Sequence, residues 1–242
     1  MTQKIAYLTI DDGPTEDMKE KIDFLDSKGI KAIWFCLGKE LEKFPQQAIY
    51  AIKKGHIIGN HSYDNPNFSE IDLEEAKNQI EKTDKIINDL YIQVGISRPI
   101  KIFRFPFLNN GSKDEYQKAD WNNKHVKTIQ KILANLGYRQ PKFKNINYKW
   151  FKQAGFDKCL SVDCSYDTFD WCLKEGEEMF GYHDLPTVLA RIDEDVPDGG
   201  RGLNNPNSNE IIMMHAWIPI NAFKALIVKI LDKNIRFKQP SF

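Results

Sequence analysis

The side chains able to carry hydrolytic chemistry sit in short polar clusters, each at the end of an apolar run. Asp11-Asp12-Gly13-Pro14 follows residues 4–10, Asn60-His61 follows residues 56–59, and Arg104 lies within residues 100–105. Asp167 and Asp170 lie beyond residues 159–163, and His215 ends the run EIIMMH. Carboxylates, imidazoles and a guanidinium are the groups of acid–base and metal-assisted hydrolysis. Adjacent buried carboxylates repel unless a cation or an arginine balances them. Asp11 and Asp12 therefore require partners such as a metal ion and Arg104. Taken alone, Asp-Asp-Gly-Pro is also what a strand-to-helix turn needs.

The runs that position these residues alternate in period. Residues 4–10 read as a buried strand, and Thr15 opens a helix with Met18, Ile22 and Leu25 at helical spacing before Gly29. Residues 31–37 form a second strand, followed by a helix over 45–54. A short strand at 56–59 precedes a long helix opened by an Asp72/Glu75 capping box. Residues 100–105, 159–163 and 210–215 are further strands, with helices near 126–136, 187–193 and 220–233. This alternation implies a parallel sheet, and the number of units favours a deformed (β/α)7-type barrel over an open doubly wound sheet. In such a barrel the polar clusters converge on the face at the strands' C-terminal ends. Residues 108–120 and 196–209, rich in Asn, Gly, Asp and Ser, read as surface loops that shape the groove. Residues 1–242 are expected to form one domain.

Composition narrows the partners. With 41% hydrophobic and 28% charged residues the chain is globular, not disordered. Thirty-four basic residues balance 34 acidic ones, so no global field selects nucleic acid or an anionic membrane. The ligand is expected to be neutral or locally recognised. No apolar run approaches the ~20 residues of a membrane span, and no signal-type apolar region precedes residue 4. The expectation as written is a cytoplasmic protein, or a secreted or periplasmic one if an export signal has been trimmed. Four cysteines without a CxxC pair read as buried thiols. Oligomeric state leaves no trace in the sequence.

In order along the chain, Thr9-Ile10-Asp11-Asp12-Gly13-Pro14, His61-Ser62-Tyr63-Asp64-Asn65, Arg104-Phe105-Pro106-Phe107, Asp167-Thr168-Phe169-Asp170-Trp171 and Met213-Met214-His215 resemble the five motifs of the NodB-like polysaccharide deacetylases, carbohydrate esterase family 4. The resemblance implies a metal-dependent hydrolase removing N-acetyl, or O-acetyl, groups from a glycan of chitin, peptidoglycan or xylan type. It implies Asp11 as general base paired with Arg104, and His215 as general acid oriented by Asp170. Asp12 and His61 would bind a divalent metal, zinc by resemblance, with cobalt, manganese or nickel as alternatives. A main-chain N–H near Phe107 would serve the oxyanion. Phe107, Trp171 and Trp217 would line the sugar groove.

This chain departs from the family at Asn65, where a second histidine ligand normally stands four residues after His61. Asn65 can offer an amide oxygen, Asp64 can approach, or water can fill the position. Each exchanges an imidazole nitrogen for a harder oxygen, and zinc preference weakens.

Each site residue also has a plainer reading. His61 would be a strand-end imidazole on backbone, His215 a satisfied core histidine, Arg104 a surface ion pair, and the aromatics core. His56 is expected to be structural, His125 solvated and His183 a loop residue. Two functions of other kinds stand beside deacetylation. One is a catalytically degenerate carbohydrate-binding protein that lost turnover with Asn65. The other is a deacylase of a different small amide on a sugar conjugate.

Overall fold

The computed structural model describes residues 3–112, 120–197 and 202–242. Residues 113–119 and 198–201, within the two expected loops, lie outside the described residues. Strand β1 (Lys4–Gly13) is buried almost throughout. It pairs in parallel with β2 (Ile33–Cys36) on one side and with β5 (Glu210–His215) on the other. Strand β3 (Ile57–Asn60) adds to β2 in parallel, and β4 (Tyr166–Asp167) adds to β5.

Parallel bridges carry the ring onward from Asn60 to Phe103 and from Phe103 to Ser161. The stretch through residues 161–167 thus touches Phe103 at one end and β5 at the other, which closes the barrel. Strand β6 (Ile235–Phe237) pairs with the start of β1. The barrel is deformed because residues 100–105 and 159–163, expected as strands, contribute only isolated bridges through Phe103 and Ser161. Pro106 opens a short 3-10 turn directly after residues 100–105 and ends that run, and Phe103, Phe105 and Phe68 pack edge to face beside it.

The helices are α1 (Met18–Ser27), α2 (Gly38–Lys43), α3 (Pro45–Lys53), α4 (Leu73–Gln93), α5 (Lys124–Asn135), α6 (Lys149–Gln153), α7 (Leu185–Asp193) and α8 (Ile220–Leu231). Helix α1 starts three residues after Thr15, which belongs to a turn. Asp72 caps α4 by accepting from the Glu75 amide at 2.8 Å. Apolar faces of α1, α3, α7 and α8 pack against β1, β2 and β5 in the largest core cluster. All four cysteines are free and buried. Among the described residues no helix is long and apolar enough to cross a membrane.

Candidate active site

Register places Asp11 beside Phe35 of β2 and beside His215 of β5. Asp11 and His215 therefore start from the same level of neighbouring strands. In a regular strand, successive side chains point to opposite faces. Here the β1–β2 register slips between Asp11 and Gly13, and Asp12 takes a left-handed φ of 62°. This bulge turns both carboxylates toward one imidazole. His61 Nε2 lies 3.9 Å from Asp11 Oδ2 and 3.6 Å from Asp12 Oδ1.

Arg104 is wholly buried and held through Nε and Nη1, while its Nη2 has no hydrogen-bond partner. Nε donates to the Val162 carbonyl at 3.0 Å, and Nη1 donates to Thr9 Oγ1 at 2.7 Å and to Asp11 Oδ1 at 2.8 Å. The guanidinium lies over the Phe35 ring at 4.5 Å. The surface-ion-pair reading is excluded by this burial. The carbonyl of Arg104 accepts from His61 Nδ1 at 2.9 Å. That bond makes Nδ1 the donor and leaves Nε2 as the ring nitrogen facing the carboxylates.

On the opposite side, Asp170 is buried and receives both the His215 amide (2.7 Å) and His215 Nδ1 (2.8 Å). Burial alone would lower the His215 pKa, but Asp170, Asp12 and Asp11 outweigh it and push the imidazole up to about 10. His215 is thus an ion-paired, partly exposed imidazole and not a neutral core histidine. The indole of Trp217 donates to Asp12 Oδ2 at 3.2 Å. Trp171 is likewise tied to Asp167 Oδ2 at 3.3 Å. Both tryptophans, expected to line the groove, thus also brace carboxylates. Phe107 is 53% exposed at the rim with φ 55°. Its amide donates to no protein acceptor among the described bonds.

Asn65 ends a bend, not a helical turn. Ser62 and Asn65 both have φ of 69°, and the Tyr63 and Asp64 amides are held by Gln79 Oε1 of α4. Asn65 Oδ1 and Asp12 Oδ1 are buried acceptors without a hydrogen-bond partner. Orphaned buried oxygens call for a cation or a donor, so the donor set present fits a divalent metal. Among the described residues no group of three His, Cys, Asp or Glu side chains is arranged to hold one.

Two further carboxylates join the site. Burial, opposed by Arg104, pushes Asp163 up to about 7. Burial, opposed chiefly by His215, pushes Asp167 up to about 6. Asp163 closes an apolar run as Asp11 does, and that position is the signal that sequence reasoning could have weighted. His56 is structural as expected, with Nδ1 accepting from the Ala32 amide and the Trp34 indole. His125 is not solvated: its Nε2 bonds the Phe68 carbonyl at 3.0 Å.

The Asp11–Arg104 and Asp170–His215 ion pairs, with His61 and Asp12 beside them, thus gather at the C-terminal rim of a parallel barrel. The polysaccharide deacetylase family model matches residues 1–141, more than half of the chain, and the protein belongs to that family. Peptidoglycan-N-acetylglucosamine deacetylase of Bacillus cereus is 44% identical over 84 residues, covering 34% of this chain and 30% of that protein. Peptidoglycan-N-acetylmuramic acid deacetylase PdaC of Bacillus subtilis is 30% identical over 147 residues, covering 55% of this chain and 30% of that protein. The chain thus matches less than a third of the length of these curated relatives. A crystal structure of a peptidoglycan N-acetylglucosamine deacetylase bound to an N-hydroxybenzamide compound superposes with a TM-score of 0.58. That match is 26% identical and covers 97% of this chain and 85% of the other.

Proposed function

We propose that the protein hydrolyses N-acetyl groups on an N-acetylhexosamine-containing glycan of peptidoglycan type. The observation that carries this reading is the pair of completed proton-handling devices, Arg104–Asp11 and Asp170–His215, at one level of adjacent strands. Asp11, held by Arg104, accepts the proton of the attacking water as its oxygen bonds the acetyl carbon. The Phe107 amide offers a donor to the oxyanion of the tetrahedral species. His215, protonated and held by Asp170, gives its proton to the amide nitrogen as the C–N bond breaks. Acetate and a free amine leave.

Asp12, His61 and Asn65 would hold a divalent metal, which supplies carbonyl polarisation and a more acidic water. With one imidazole and two oxygens in that set, manganese or cobalt is accepted alongside zinc. The relatives' names support peptidoglycan as the glycan class. The test is acetate release from peptidoglycan fragments with added metal, lost in Asp11→Asn and His215→Ala. Release that survives both changes removes this mechanism.

Asn65 also favours a second reading, a glycan-binding protein without turnover. Glycan binding with no acetate release under any metal would establish it.

A further inference from the structure

Helix α1 buries Met18, Lys21, Ile22 and Leu25. At a spacing that otherwise selects apolar side chains, the second of the four is a lysine with no exposed side chain. A buried ammonium is costly unless its protons are satisfied. Here Nζ bonds both oxygens of Asp17 at 2.7 Å and the carbonyl of Ala216 at 2.6 Å. Burial lowers the Lys21 pKa, and Asp17, Glu20 and Asp170 oppose it. The ammonium thus also acts as a counter-charge to the buried partner of His215.

Ala216 is fixed from several directions. Its carbonyl also accepts from Thr15 Oγ1 at 3.2 Å, and its amide donates to the Asp11 carbonyl at 2.8 Å. On one side of it stands His215, bonded to Asp170. On the other stands Trp217, whose indole holds Asp12. A strand exit normally spends its free carbonyls on water. Here a charge-assisted bond from a helix on the barrel's outside locks the exit.

We propose that Lys21 is a positioning residue. By gripping the Ala216 carbonyl it sets residues 215–217, and so places both the proton donor and the indole that braces the cation-facing carboxylate. The kinetic part of this inference rests on the deacetylase reading; the geometric part does not.

Lys21→Met keeps the volume and suits the apolar face of α1. It is expected to lower kcat on the order of ten-fold or more with KM little changed, because a misplaced donor costs rate and not binding. Exchange of the Ala216 amide should quicken and manganese affinity should fall, while the melting temperature holds or rises. A lysine that merely fills space gives the reverse pattern: a lower melting temperature, with kcat, amide protection and manganese affinity moving no more than in a control core variant. That pattern overturns the proposal. Asp17→Asn, which loosens the anchor and leaves Lys21 in place, should shift the same readouts in the same direction to a smaller extent. It carries the test if Lys21→Met does not fold. If the wild type releases no acetate with any metal, the deacetylase reading fails. Amide exchange and manganese affinity then still judge the clamp, and unchanged values in both variants overturn it.

Discussion

Asp11 and Asp12 are neighbours in sequence and face the same imidazole, yet they are equipped differently. Asp11 is buried against the fixed guanidinium of Arg104. Asp12 shares one oxygen with the Trp217 indole and keeps the other buried without a partner. The same contrast separates His215, saturated by Asp170, from Asn65, whose amide oxygen is orphaned. The two ion pairs are thus built from protein contacts alone, whereas Asp12 and Asn65 each keep a buried oxygen without a hydrogen-bond partner. A bulge and one left-handed residue are enough to divide the two tasks between consecutive aspartates.

The largest effect should come from the saturated side. His215→Ala removes the proton donor and should lower kcat by about 10²–10⁴, the range for a positioned general acid. Steady-state kinetics on a soluble N-acetylated oligosaccharide measures it. A loss under about three-fold would place the acid elsewhere.

Arg104→Met leaves Asp11 buried without its counter-charge. It should cost about 3–5 kcal/mol of stability, as breaking a buried pair does. Denaturant unfolding measures the loss, and Asp11→Asn in the same background should recover part of it. No recovery would mean that the ion pair is not the source of the cost.

The open side should respond to ligand type. Asn65→His restores an imidazole and should raise zinc affinity by about ten-fold or more, leaving manganese less affected. Equilibrium metal titration of both proteins decides, and equal zinc affinity would show that Asn65 lies outside the ligand set.

The pH response is the most diagnostic. His215 titrates at about 10 in the fold and near 6.5 when unfolded, so its stabilisation is fully present below about pH 6.5. That stabilisation is lost as pH rises through 10. The stability gap between wild type and His215→Gln should be widest near pH 6 and shrink toward pH 10. Since Asp12 and Asp11 help to hold His215 high, metal loading should lower its pKa in an NMR titration. A gap independent of pH would contradict the charged-donor reading.

Much of this division was legible in the sequence. Polar residues at the ends of apolar runs located Asp11, Asp12, His61, Arg104, Asp170 and His215, and the barrel brings them to one rim. The short strands β4 and β6 were not legible, because a few bridging residues leave no periodic signature. Nor was the placement of Asp12, which depends on a register slip against β2. Trp217 as a brace, His125 on the Phe68 carbonyl and Lys21 inside α1 were also hidden. Each is decided by a tertiary partner far along the chain: helical spacing sets Lys21 on the buried face with Met18, Ile22 and Leu25, but says nothing of the Ala216 carbonyl that it bonds.

The central claim is that a complete acid–base pair and an open cation corner together make a deacetylase. The most direct measurement is acetate release from peptidoglycan fragments by the wild type and Asp11→Asn, each loaded with manganese or zinc and then stripped by chelation. The account predicts release by the loaded wild type, loss on stripping, recovery on reloading, and none from Asp11→Asn in either state. Equal release by both proteins, or glycan binding by the loaded wild type with no acetate formed, would contradict it.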